Sequence, residues 1–333
     1  MCGCRQTGDG GSPTAGLTHQ DRRTVMNPMD RQIGKQQRIR MGMAGGLILL
    51  FALGMAIDEA DFLGSRHTSA TAYLQVYSAF LLMLVYIVPF SLLMRRLCRR
   101  YKLSGFEMLT AVACGAFIPA AFAGEINDGF TSMMKQLMGS AYSDAWLGSA
   151  ETAIVEELLK LGTAALLLYL FHRKSRPSYL ITGMCVGMGF QIEEDFSYIT
   201  DSGFKHVNAA FPAALDRIVG ALGSHWAYTG VTAVGLYLIV SASSGRNKRK
   251  GLLWILLVMA NHFLYDSPIG SVPLFSALLA AAVVLPVILL LKTDWSMSET
   301  EMDAKLSHSY AQSIAGEGRP MDEVFNDLKR DLK

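Results

Sequence analysis

Eight apolar runs, roughly 41–57, 72–94, 105–123, 149–171, 178–200, 218–241, 251–269 and 271–292, are separated by charged stretches. Each is close to the ~20 residues that a helix needs to cross a hydrocarbon layer ~30 Å thick. In that layer every backbone polar group must find its partner within the chain, so repeated runs of this length lead to a helical bundle. The composition agrees: 51% of the 333 residues are hydrophobic and 17% charged, and the apolar ones are gathered in blocks instead of being spread as in a soluble core. The expected fold is all-α, a polytopic transmembrane helical bundle of about eight spans.

The charges between the runs alternate in sign. Arg31, Lys35, Arg38 and Arg40 precede the first run, and Asp58, Glu59 and Asp61 follow it. Arg95, Arg96, Arg99, Arg100 and Lys102 follow the second, and Glu125, Asp128 and Asp144 the third. Arg173, Lys174 and Arg176 follow the fourth; Arg246, Lys248, Arg249 and Lys250 follow the sixth. Every second loop is basic, the pattern of the positive-inside rule, and both termini are expected in the cytoplasm. Basic residues grouped this way, with a net charge of +2, exclude a nucleic-acid-binding face.

Three regions follow. Residues 1–40 are Gly-, Gln- and Arg-rich without an apolar core, so a disordered cytoplasmic segment is expected rather than a signal peptide. Residues 41–292 form the transmembrane domain, and 293–333 a cytoplasmic tail. In that tail Met321, Val324, Phe325, Leu328 and Leu332 fall at helical spacing, which predicts a short amphipathic helix. The five cysteines show neither metal-ligand spacing nor a disulfide pattern.

Within the fourth run stands Ile-Val-Glu-Glu-Leu-Leu-Lys, residues 154–160. A charged side chain at the middle of a bilayer costs ~2.5–3.5 kcal/mol on insertion scales, so such residues are paired, turned inward or in use. On a helix Lys160 reaches both Glu156 and Glu157. A buried ion pair locking two helices would account for these three alone. However, Glu193, Glu194 and Asp195 in the fifth run, His225 in the sixth, and His262 and Asp266 in the seventh fall at a similar depth, about 10 Å from one membrane face at ~1.5 Å per residue. Independent ion pairs have no reason to share a layer. Phe190 and Glu194 are four apart, as are His262 and Asp266, so each pair shares a helix face; a His and an Asp so placed can hold one metal ion or one water.

Glu156-Glu157-x-x-Lys160, Phe190-x-x-x-Glu194 and His262-x-x-x-Asp266, in this order on successive runs, resemble the motif set of PrsW-type intramembrane proteases, relatives of the CAAX prenyl endopeptidases and the bacterial abortive-infection membrane proteins. Gly187-Met188-Gly189-Phe190 and Ser224-His225-Trp226 with Thr229-Gly230 agree, and the likeness covers about 110–268. The resemblance implies proteolysis within the membrane. By position, Glu156 or Glu157 is the general base that activates water, with His262 catalytic beside them; Lys160, Phe190, Glu194, Asp266 and His225 support the site. The CAAX relatives carry histidine and asparagine where this chain has Glu194 and Asp266. An ionised aspartate cannot donate to an oxyanion. This departure favours a metal, with His262, Glu194, Asp266 and His225 as ligands and zinc as the Lewis acid; metal-free Glu–His chemistry stays open. The implied substrate is a membrane-anchored protein, an anti-sigma factor by the resemblance, cut near the extracytoplasmic side of a bacterial inner membrane. Two other readings compete: a proton-coupled transporter using the Glu/His cluster as a relay, and a scaffold whose tail recruits a partner.

Overall fold

The computed structural model describes residues 28–64, 69–139, 146–241 and 245–314. Two units divide the chain, Met1–Ala44 and Gly45–Lys333. The first contributes only the beginning of one helix to the described residues; the packing and the site described below lie in the second. Every regular element among the described residues is helical.

In chain order the helices are α1 (Pro28–Gly64), α2 (Ala70–Leu82), α3 (Leu84–Arg100), α4 (Gly105–Gly115), α5 (Ala121–Met138), α6 (Gly148–Leu170), α7 (Arg176–Lys205), α8 (Ala210–Gly220), α9 (His225–Ser241), α10 (Gly245–Asp266) and α11 (Pro273–Ile314). A π-turn at Ala116–Ala120 joins α4 to α5. Among the described residues three stretches are long and apolar enough to cross a membrane: Gly34–Phe62, Gly105–Met138 and Pro273–Thr293; α2 and α3, bent by 42°, make a fourth if read as one broken span. The helices bearing the polar motifs fall outside that measure, α6 and α7 because of their acidic residues and Lys160, α9 because it has 17 residues, and α10 because of the basic residues at its start.

Several boundaries differ from expectation. Helix α1 begins at Pro28, inside the stretch expected to be disordered, because its Arg, Gln and Lys residues are good helix formers behind a proline at the first position. The polar stretch expected as a loop from about 124 is helical to Met138, carried by the amphipathic α5. The run 218–241 is not one helix: α8 ends at Gly220, a 3₁₀ turn follows, and α9 starts only at His225. Helix α11 continues to Ile314, past the expected end of the last run. The amphipathic stripe from Met321, with Cys2 and Cys4, lies outside the described residues.

Helix α7 is the centre. Every residue from Leu180 to Gln191 is buried, as befits a helix that is apolar all round, and α9, α4, α6 and α2 pack on it. Its glycines permit this. A Cβ on Gly187 would lie 2.2 Å from the His225 carbonyl oxygen, one on Gly183 2.4 Å from that of Thr229, and one on Gly189 1.9 Å from that of Val112. Small residues four apart let two helix backbones meet directly, and here they bring the start of α9 against α7. Gly187→Ala should therefore part these helices and lower stability by about 2 kcal/mol or more, read as a fall in the thermal midpoint of the detergent-purified protein.

Candidate active site

Four helices deliver the polar residues. Glu156, Glu157 and Lys160 lie on one face of α6, Phe190, Glu194 and Asp195 on α7, His225 at the first position of α9, and His262 and Asp266 in the last turns of α10. All the residues singled out from the sequence come together, although 110 positions separate Glu156 from Asp266.

Lys160 is at the middle and fully buried. Its ammonium lies 2.7 Å from Glu157 Oε1, 3.3 Å from Glu156 Oε2 and 2.8 Å from His225 Nδ1. The Phe190 ring covers it at 4.2 Å and contacts the His225 ring at 4.8 Å, which gives the aromatic residue of the second motif its role as a floor. Since an ammonium only donates, His225 Nδ1 accepts, and the ring proton sits on Nε2 and is donated to Glu194 Oε2 at 2.9 Å. His262 is held between carboxylates: Nδ1 is 3.2 Å from Glu157 Oε1 and Nε2 3.1 Å from Asp266 Oδ2. The Tyr228 ring stacks on it at 4.9 Å, and the Tyr228 hydroxyl donates to Asn261 Oδ1.

The two adjacent glutamates have different surroundings. Glu156 Oε2 stands 3.8 Å from a nitrogen of each histidine and faces a cavity of about 1230 Å³. Glu157 is sealed behind Lys160 and His262; its Oε2 is buried with no hydrogen-bond partner. Ten carboxylates line the cavity against the basic side chains of Lys205 and Arg217, so its potential is negative among the described residues.

Arg217 was not visible as a site residue in the sequence. From α8 it binds Glu194 and Asp195 together and stacks on Tyr198; Asp195, wholly buried, also accepts from the Tyr86 hydroxyl at 2.6 Å. The signal was its position: an arginine in a segment that the charge alternation puts on the non-basic side has no topological reason to be there. Glu193 makes none of these contacts but lines the cavity.

The donor atoms fit a metal. Glu156, His225 and His262 each offer one ligand atom within 4.8 Å of the others, all buried, and two imidazoles with one carboxylate are the three protein ligands of many catalytic zinc sites. The orphaned Oε2 of Glu157 beside them is the kind of buried acceptor that a bound water or ion satisfies. This group differs from the set expected from the sequence in including Glu156, which lies between the histidines. Glu194 binds the far nitrogen of His225 and Glu157 the far nitrogen of His262, the usual position of carboxylates that orient ligating imidazoles, whereas Asp266 shares with Glu156 the Nε2 side of His262.

A family model described as PrsW family intramembrane metalloprotease matches residues 107–291, which takes in all three motifs. No curated protein and no solved structure matches the chain.

Proposed function

The chain belongs to the PrsW family of intramembrane metalloproteases, and from that premise we propose that Glu156, His225 and His262 hold a zinc ion while Glu157 serves as general base in cutting a membrane-anchored protein. It is an integral membrane endopeptidase, and membership implies a membrane-protein substrate. The observation that carries the finer reading is the buried donor group opening on the cavity through Glu156.

A bound zinc would supply Lewis acidity to the scissile carbonyl and its attacking water. The chain's own residues do the rest. Glu157, pinned at Oε1 by Lys160 and His262, keeps Oε2 free to take a proton. Glu194 at His225 Nε2 and Glu157 at His262 Nδ1 hold the two imidazoles in orientation. The cavity admits the substrate segment, and its negative potential favours Lys or Arg beside the cut. The charge alternation supports eight spans with both termini cytoplasmic and, with the depth of the polar residues, cleavage near the extracytoplasmic face; the bacterial cell membrane and a single-span anti-sigma factor as substrate type are what the family resemblance implies. For the carrier reading, a relay needs a path across the bilayer, and among the described residues the buried histidines and the buried acids other than Glu107, which pairs with Arg173, gather in one cluster. The metal-free Glu–His reading has one observation in its favour: Lys160 contacts two of the three donors.

The test is metal content after purification in detergent without chelator. About one zinc per chain in the wild type and none in folded His262→Ala is expected from a three-ligand site. Wild-type protein that cleaves a membrane-anchored reporter while carrying no metal would overturn the zinc assignment and leave Glu–His chemistry.

A further inference from the structure

Two of the three donors in the Glu156–His225–His262 group already face a cation. The Lys160 ammonium contacts Glu156 Oε2, His225 Nδ1 and Glu157 Oε1 at 3.3, 2.8 and 2.7 Å, and three contacts use all its donors. The His225 Nδ1 lone pair is directed at that ammonium and cannot bind a metal at the same time, and Nε2 is engaged with Glu194. Metal ion and lysine thus compete for the same nitrogen and the same carboxylate. The lysine, moreover, has a place to withdraw to. Glu157 stands outside the donor group and already holds the ammonium at Oε1, 2.7 Å away, and the Phe190 ring face, 4.2 Å from the ammonium, adds a cation–π contact.

We propose that Lys160 is an internal counter-cation that holds the donor group in the metal-free protein and is exchanged off His225 and Glu156 onto Glu157 when the metal loads. This rests on the metal reading given above. The exchange explains how two glutamates and two histidines remain packed together before an ion arrives: each acid has the ammonium beside it. It also sets a selection rule. An ion that must displace an ammonium from an imidazole needs real affinity for nitrogen, which zinc has and the oxygen-seeking magnesium and calcium lack.

The experiment uses the full chain in detergent, stripped of metal, with zinc binding measured by competition against a chromophoric chelator. In Lys160→Gln zinc should bind roughly ten- to hundredfold more tightly than in the wild type, because a like charge within a few ångströms has been removed. Zinc bound only by the variant would support the exchange in its strongest form. A folded Lys160→Gln protein with equal or weaker zinc affinity overturns it and leaves the lysine a structural neighbour of an intact metal site. No zinc in either protein overturns the metal reading itself and the exchange with it. Should the variant fail to fold, nitrogen-15 NMR of the wild type decides: on zinc addition the His225 Nδ1 signal should move while the Nε2–H signal persists. An unmoved Nδ1 signal at zinc saturation overturns the exchange.

Discussion

Glu157→Gln should lower cleavage of a membrane-anchored reporter by about 10³-fold while the protein, at saturating zinc, still holds its metal. General acid–base groups contribute ~10²–10⁴ to rate, and the amide that replaces this carboxylate keeps one oxygen for Lys160 but cannot take the water's proton. Glu156→Gln should lose both cleavage and metal, since that carboxylate stands between the two histidines. The pair of variants therefore separates ligand from base, which adjacency in the sequence could never do. Metal content and initial cleavage rate, measured on the same preparations, check it. Metal lost from Glu157→Gln and kept in Glu156→Gln would exchange the two roles.

Arg217→Ala should destabilise the protein by about 3–5 kcal/mol, because removing one partner of a buried ion pair leaves the other charge uncompensated. Here two acids are left, Glu194 and the fully buried Asp195. Arg217→Lys should fall between the wild type and alanine, as an ammonium restores the charge without the planar fork that reaches two carboxylates together. Adding Asp195→Asn to Arg217→Ala should recover part of the loss, since one of the stranded charges is then gone. Unfolding midpoints in a single detergent give the ranking, and an unchanged midpoint in Arg217→Ala would show the cluster to be solvated instead of buried.

Much of this site was legible in the sequence because charge is costly in an apolar setting. Glu156, Lys160, Glu194 and His262 stood out against the runs around them, and their common depth foretold that they would meet. Depth along a helix axis, however, says nothing of rotation about it. The rotation that puts Glu156 on the cavity between the two histidines and Glu157 behind Lys160 and His262 is fixed by packing across α6, α7 and α10, so which carboxylate joins the donor group could not be read from two adjacent letters. Arg217 was hidden for another reason. It enters from α8, a short amphipathic helix in a stretch that hydropathy merges with the following span, and the break at Gly220–Ser224 that frees α8 to fold across the site is a matter of local turn chemistry. For similar reasons α5 was expected as a loop: its polar face, which lines the cavity at Asn127, Asp128 and Thr131, lowers the hydropathy by which spans are recognised.

The glycines of α7 have a consequence for how the site meets a changing membrane. Where Gly183 and Gly187 touch the carbonyls of Thr229 and His225, the spacing of the two helices is fixed by rigid main chain and not by side chains free to change rotamer. A bilayer that thins or thickens is answered by tilting its lipid-facing helices, such as Pro273–Thr293, of which little is buried. The gap between Glu194 and His225 is gauged by peptide groups at the centre of the bundle, so the enzyme carries its own calibration with it from one lipid environment to the next.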